Sequence, residues 1–118
     1  MKDQSILEKA IKWAKNKGFQ NIKAKGDEYD DPVQFTRNKD EESFVPDITG
    51  LQTGGKSYIE IATKTDDVRR TISKWKLLST MASMKGGRLF LLAPKGHKTF
   101  TEDIVKKHNL DAKVVYLR

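Results

Sequence analysis

The chain has 118 residues, of which 36% are hydrophobic and 33% charged, so it is long enough for one domain with a real core and too short for two. It has no cysteine and two histidines, His97 and His108, which excludes disulfides, thiolate zinc sites and a cysteine nucleophile and argues against a multi-histidine metal site. No apolar run approaches the roughly 20 residues of a membrane span, and "MKDQSILEKAIKW" is charged throughout, unlike a secretory signal. We therefore expect a cytoplasmic protein without a membrane partner.

The net charge of +7 is unevenly distributed. Residues 26–43 hold seven acidic and two basic residues, a local charge of −5, and the other 21 basic and 9 acidic residues give +12. A body this basic usually meets a polyanion, most often nucleic acid. A lysine-rich surface that serves solubility explains the composition equally well, and both interpretations stay open.

Hydrophobic periodicity predicts a first helix over residues 5–17, with Ser5 as its N-cap and Gly18 at its end. A short strand follows at 19–24. The acidic segment comes next, and its "VQFT" stretch at 33–36 is a candidate for an extra strand.

Residues 44–64, "FVPDITGLQTGGKSYIEIATK", predict a hairpin of two strands around a tight turn. Thr65 or Asp66 then caps a long second helix with an apolar stripe at helical spacing. The pair Gly86–Gly87 stops this helix.

The apolar run "RLFLLA" at 88–93 predicts a strand covered on both faces. Thr99 and Glu102 form a capping-box pattern for a third helix, and "AKVVYL" at 112–117 is the last strand. The order is one helix, three or four strands, then α, β, α, β. We therefore predict a single α/β domain over residues 1–118, with a mixed sheet flanked by helices on both faces.

Each strand of the predicted hairpin carries one acid near its centre, Asp47 and Glu60. A turn at Thr53–Gly54 places them directly opposite each other, and a turn at Gly54–Gly55, the stronger type I′ candidate, makes them diagonal neighbours on one face. Like charges this close destabilise a sheet unless a lysine or a divalent metal joins them. An exposed sheet face on which Lys64 neutralises one carboxylate is the alternative.

The alternate face of the second strand carries Ile59 and Ile61, which we expect to point to the core. The "PD" at 46–47 and the "EIATK" at 60–64 resemble the motif of the PD-(D/E)XK nuclease superfamily, and the order of elements is similar to that family's core. The similarity covers most of the chain and is closest to compact members such as Holliday junction resolvases and small phage or restriction-type nucleases. It implies a restriction endonuclease-like fold and Mg²⁺- or Mn²⁺-dependent hydrolysis of DNA, and it makes a homodimer possible.

By this resemblance, Asp47 and Glu60 would bind the metal ion together with the backbone carbonyl of Ile61. The ion would polarise the phosphoryl group and lower the pKa of a bound water. Many relatives add a glutamate from the first helix, for which Glu8 is the candidate here, although it lies off the centre of the apolar stripe.

The family's lysine falls two residues after the second acid, where this chain has Ala62. Lys64, about 6.6 Å further along the predicted strand, is our candidate for the catalytic lysine, and Lys74 on the second helix is a possible substitute. A lysine here would position the water or stabilise the phosphorane.

Basic residues around this centre are expected to contact phosphates, although ordinary solvated surface explains each of them singly: Lys56, Arg69, Arg70, Lys74, Lys76, Lys95 and Lys98. Two alternatives to a nuclease stay open. One is a catalytically inactive relative that binds nucleic acid or a partner protein, and the other is an immunity or adaptor protein that uses the acidic segment 27–42 as its binding surface.

Overall fold

A computed structural model describes residues 4–25, 29–37 and 42–117. None of the helices in these ranges is both long enough and apolar enough to cross a bilayer. The described elements, in chain order, are α1 (Gln4–Asn16), β1 (Gln20–Ala24), β2 (Phe35–Arg37), β3 (Glu42–Phe44), β4 (Ile48–Gln52), β5 (Gly55–Ile61), α2 (Val68–Met84), β6 (Gly86–Pro94), α3 (Lys98–Lys107) and β7 (Ala112–Leu117).

Five of the described strands form one mixed sheet in the order β1-β4-β5-β6-β7. The β1–β4 and β4–β5 pairs are antiparallel, whereas β5–β6 and β6–β7 are parallel. The parallel pairs are connected through α2 and α3, and both helices pack on the same face because the chain moves in one direction across the sheet. The strands β2 and β3 form a separate antiparallel pair. The predicted α/β domain with a mixed sheet is confirmed.

The core consists of two layers, one on each face of the sheet. The apolar stripe of α1 packs on one face, where Ile59 and Ile61 are buried as their alternation predicts. On the other face α2 and α3 pack against the sheet, and Trp75 is buried in this layer. Neighbouring residues of β6 enter different layers, since Leu91 faces α2 and Leu92 faces α1, so β6 is a strand covered on both faces. Each such fully buried side chain stabilises the fold by about 1.5–3 kcal/mol.

The turn between β4 and β5 is Thr53–Gly54 and not Gly54–Gly55. Thr53 has φ 50° and Gly54 has φ 78°, and positive values at both central residues are typical of a type I′ turn. Gly55 pairs with Gln52 at the start of β5 instead. It is needed there because a Cβ atom on Gly55 would overlap the carbonyl oxygen of Gly86 in the neighbouring strand.

The predicted hairpin strands are also shorter than residues 44–64 suggest. Pro46 has no backbone N–H to give to a ladder, so β3 ends at Phe44 and β4 begins at Ile48. At the other end, β5 stops at Ile61. Lys64 is therefore not a strand residue, and the prediction that it shares a strand face with Glu60 is wrong.

The helix boundaries differ from the predictions by a few residues. Asp67, rather than Thr65 or Asp66, caps α2, because its Oδ1 accepts a hydrogen bond from the N–H of Arg70 at 3.1 Å. His97 precedes α3, so Thr99 lies inside the helix and the predicted capping box is wrong. The helix α2 ends at Met84, before the two glycines, which begin β6.

Candidate active site

Asp47 and Glu60 meet at the end of the β4–β5 ladder. Ile48 pairs with Ile59 there, so the next opposed positions are those of the two acids. The N–H of Asp47 donates to Glu60 Oε2 at 2.7 Å, and the N–H of Ile61 donates to Asp47 Oδ2 at 2.9 Å. Both side chains are 1% exposed. The two carboxylates thus close the ladder by reciprocal hydrogen bonds and lie together, out of bulk water.

Two lysines compensate the charge of the two acids. Lys74 Nζ, on α2, lies 2.8 Å from Glu60 Oε1, and Lys25 Nζ, directly after β1, lies 3.2 Å from Asp47 Oδ1. The side chain of Lys74 is 16% exposed and that of Lys25 is 47% exposed. Removing one partner of a buried ion pair destabilises far more than removing one at the surface. The Lys74–Glu60 pair is therefore the more important of the two for stability.

Lys25 is a member of the site that sequence reasoning misses. The strand β1 pairs with β4 so that Ala24 is opposite Ile48, which places Lys25 opposite Asp47. The N–H of Lys25 also donates to the carbonyl oxygen of Asp47 at 3.1 Å. A lysine directly after an apolar strand is a weak signal, because the sequence does not show which strand is its neighbour.

Glu60 and Lys74 line an open cleft of about 420 Å³. The cleft lies where β5 ends and α2 begins, which is the usual ligand position at the carboxyl ends of parallel strands. The N-terminus of α2 favours an anion here through the helix dipole. The volume of the cleft is within the range of small-ligand sites. The other residues that line it are Ile61, Thr63, Lys64, Thr65, Asp67, Arg70, Thr71 and Trp75.

Lys64 lines this cleft but does not contact the carboxylates. It is exposed in the loop after β5, and its backbone N–H donates to His97 Nδ1 at 2.9 Å. Within the described ranges, no ion pair joins its ammonium to Asp47 or Glu60. The ammonium beside Glu60 is that of Lys74, the substitute considered from the sequence.

Ala62 and Glu8 occupy positions without contact to the acids. Ala62 is fully buried in the layer beneath α2, and its N–H donates to the carbonyl oxygen of Leu92 at 2.8 Å. Glu8 is exposed on α1, which covers the opposite face of the sheet. The structure therefore does not bring Glu8 into the cleft.

The two arginines predicted to bind phosphates lie in the first turn of α2, and both are exposed. Arg70 lines the cleft and also makes tertiary contacts to β3. Its Nη2 donates to the carbonyl oxygen of Ser43 at 2.7 Å, and its guanidinium lies 4.6 Å from the centroid of the Phe44 ring. Arg70 thus connects α2 to β3, whereas Arg69 lies beside it on the surface.

Lys95 lies in the loop that follows β6, and Lys98 is the first residue of α3. Both side chains are exposed. The bond from Lys64 to His97 brings this loop next to the cleft. Both lysines are therefore at the cleft edge of the sheet. Lys76 is exposed on α2, two residues after Lys74.

Lys56 lies at the other end of β5, about 13 Å from Glu60 along the strand. Its Nζ is 5.7 Å from the centroid of the Tyr58 ring. Partial burial lowers the pKa of Lys56, and the positive charges of Lys23 and Lys85 lower it further. The N-terminal end of β5 therefore carries a cluster of positive charges.

The oxygen donors of Asp47 and Glu60 suit a hard divalent cation, since Mg²⁺ is commonly held by one or two carboxylates and several waters. Among the residues that the structure describes, no group of three or more His, Cys, Asp or Glu side chains is arranged to hold a metal ion. A bound cation would therefore share the carboxylates with the two ammonium groups that now contact them.

No protein-family model matches the chain, and comparisons with curated proteins and with solved structures also give no match.

Proposed function

We propose that this protein is a metal-dependent nuclease that hydrolyses phosphodiester bonds in DNA. The observation that carries the proposal is the pair of buried carboxylates at the end of two neighbouring strands, with a lysine ammonium 2.8 Å from one of them at the wall of an open cleft. The PD-(D/E)XK motif combines two acids with a lysine of the same strand, and here a lysine of α2 takes that place beside Glu60.

In this proposal Asp47 and Glu60 would hold Mg²⁺ or Mn²⁺, which would supply Lewis-acid polarisation of the phosphoryl group and a water of lowered pKa. Lys74 stabilises the negative charge that develops on the phosphoryl oxygens. Arg70 and Lys64 line the same cleft and attract the phosphodiester by charge-assisted hydrogen bonds.

Lys74 takes the role that the sequence suggested for Lys64. Its ammonium is already held by Glu60 before a substrate arrives, so little reorganisation is needed during the reaction. Lys64 is fixed through its backbone, whereas its side chain is exposed. We therefore assign Lys64 a contact with a phosphate in the cleft and not the role of the catalytic lysine beside the carboxylates.

The proposal is tested by incubating the protein with supercoiled, linear duplex, single-stranded and branched DNA in Mg²⁺, in Mn²⁺ and in EDTA. The wild type should cut at least one of these forms in a divalent metal and none in EDTA. Asp47→Asn and Glu60→Gln should lower the rate by about 100-fold or more. Both substitutions keep an oxygen that accepts the backbone hydrogen bonds, and thermal melts check that they fold. Equal cleavage by Glu60→Gln would show that another nuclease is responsible.

A catalytically inactive relative that binds nucleic acid is the second candidate. The observation in its favour is that Lys25, Asp47, Glu60 and Lys74 already compensate one another's charge, while buried Ala62 stands where the family has its lysine. This candidate predicts DNA binding in EDTA and no cleavage with any metal.

The adaptor interpretation depends on the acidic segment 27–42. Residues 27–28 and 38–41 of that segment lie outside the described part of the chain. Asp30 and Asp31, which are described, are exposed. This interpretation predicts that variants of the basic residues around the cleft keep full function.

A further inference from the structure

A second pocket, of about 480 Å³, lies between the C-terminal end of α1 and the strands β6 and β7. The helix α1 packs mainly over β1 and β5, so the same face of β6 and β7 is less well covered. Phe90 and Val115 on that face are only partly buried, although Ile59, the neighbour of Phe90 in β5, is fully buried. The pocket thus lies on the opposite face of the sheet from the carboxylate cleft.

Aromatic side chains form the wall of this pocket. The ring centroid of Trp13 lies 5.3 Å from that of Phe90 and 6.2 Å from that of Phe19, and the two phenylalanine rings are 5.8 Å apart. These tilted and edge-on contacts hold the rings against one another. Val115, on the edge strand β7, adds partly buried apolar surface on the same face. The wall offers partly exposed aromatic surface of the kind on which nucleic-acid bases stack.

Basic and amide groups surround the aromatic wall. Lys17 Nζ lies 5.9 Å from the centroid of the Trp13 ring, and Lys113 is the neighbour of Phe90 in β7; both lysines are exposed. Gln52 Nε2 donates to the carbonyl oxygen of Lys17 at 2.6 Å, which orients an amide that carries a further donor and an acceptor. Among the described residues that line the pocket, none is acidic.

We propose that this pocket binds an unstacked base of a single-stranded polynucleotide, with Lys17 and Lys113 at the adjoining phosphates. A nucleotide combines a flat ring, a hydrogen-bonding edge and negative charge, which match the aromatic wall, the Gln52 amide and the two lysines. A second copy of the chain fits less well, because outside residues 26–43 it would bring a body of +12 against these lysines. This inference shares nucleic acid as ligand with the proposed function but does not depend on cleavage.

Fluorescence gives a direct test. The chain has two tryptophans, Trp13 and Trp75, and Trp75 is 3% exposed in the layer beneath α2 and α3. Quenching by a ligand in this pocket therefore reports on Trp13. In EDTA, a thymidine 12-mer should quench the emission and bind at least about fivefold more tightly than an abasic 12-mer of equal charge, because base stacking is lost in the latter. Thymidine monophosphate tests whether the ligand is a free nucleotide rather than a polynucleotide. It should bind more weakly than the 12-mer.

The matched variants are Lys17→Gln with Lys113→Gln, and as a control Lys106→Gln with Lys107→Gln, which are exposed at the end of α3. The first pair should weaken binding of the 12-mer and reduce the slope of log affinity against log salt by about 1.4, whereas the control should change the slope less.

Three results would overturn the inference: equal affinity for the abasic 12-mer, an equal effect of the control pair, or loss of a dimer in light scattering when Lys17 and Lys113 are replaced. The last result would identify a second copy as the occupant. If the wild type cuts no DNA but the base-dependent quenching and the effect of the lysine pair are found, the nuclease proposal fails and this inference holds.

Discussion

The two ends of strand β5 differ in how their charged side chains are arranged. At its C-terminal end, Glu60 and Asp47 each lie within 3.2 Å of a lysine ammonium, so negative and positive groups are paired within the chain. At its N-terminal end, Lys56 lies near Lys23 and Lys85, and burial together with their repulsion lowers its pKa.

A paired network and a cluster of like charges have different uses. The carboxylates are held in one geometry by hydrogen bonds and lysines before any ligand binds, which is the preorganisation that a catalytic centre needs. The lysine cluster gains stability only when an anion joins it. Loss of a lysine at the carboxylate end should therefore lower stability, whereas loss of a lysine from the cluster at the other end should not.

The largest effect is expected for Lys74→Met. It leaves the buried Glu60 carboxylate without its lysine and should lower the free energy of unfolding by about 3 kcal/mol. Mn²⁺ should restore part of this loss, because a divalent cation can replace the missing charge. Urea denaturation with and without Mn²⁺ measures both, and Lys76→Met, at an exposed site on the same helix, is the control. Equal stability of Lys74→Met and wild type would show that the pair is unimportant.

The next effect concerns the close approach of β5 and β6 at the lysine end. A Cβ atom on Gly87 would overlap the carbonyl oxygen of Lys56, so Gly87→Ala should lower the free energy of unfolding by about 3 kcal/mol or slightly less. Gly54→Ala is the comparison, because its Cβ would meet no atom within 4 Å and only the φ of 78° opposes it, at about 1–2 kcal/mol. Equal losses for the two variants in thermal melts would show that the close approach of β5 and β6 at Gly87 does not oppose a Cβ atom more strongly than the backbone conformation of Gly54 does.

A smaller loss, of about 1 kcal/mol, is expected for Lys25→Met. Lys25 also pairs with a buried carboxylate, but its side chain is 47% exposed and water screens the interaction. The same urea experiment measures it. A loss as large as that of Lys74→Met would mean that exposure does not distinguish the two lysines.

The smallest effect is a gain at the lysine end. Lys56→Met should slightly raise the melting temperature at neutral pH, because it removes a charge that is partly buried and also repelled by Lys23 and Lys85. In the wild type the folded-state pKa of Lys56 lies below the ordinary value of 10.5, so the penalty is fully present below the lowered pKa and is lost as the pH rises through it towards 10.5. The advantage of the variant should therefore shrink with rising pH. A constant advantage across this range would point to packing rather than charge.

Local patterns predict much of this molecule. The order of the three helices and of the five strands of the mixed sheet, the burial of Ile59 and Ile61, and the meeting of Asp47 with Glu60 follow from alternation and turn geometry. The strand β3 and its separate pairing with β2 are not predicted by these patterns. The place of Lys64 does not, because β5 leaves the sheet after Ile61, where its pairing with β6 ends at Leu92. A strand's end depends on its neighbour, which the sequence does not show.

The two lysines that contact the acids come from tertiary structure. Lys74 reaches Glu60 because α2 packs across β5 and β6, and Lys25 reaches Asp47 because β1 pairs with β4 rather than with the strand next to it in sequence. The sequence could name Lys74 only as one candidate among several basic residues. Ranking the candidates required the packing of the helix on the sheet.

The measurement that tests the central claim most directly is the DNA cleavage rate of Lys74→Met beside that of Lys64→Met, in Mg²⁺ or Mn²⁺ and below the melting temperature of both variants. We predict that Lys74→Met loses about 100-fold or more, because it removes the ammonium that lies 2.8 Å from Glu60. Lys64→Met should lose far less, since its ammonium contacts neither carboxylate. Full activity of Lys74→Met, or no cleavage by the wild type with either metal, would contradict the account.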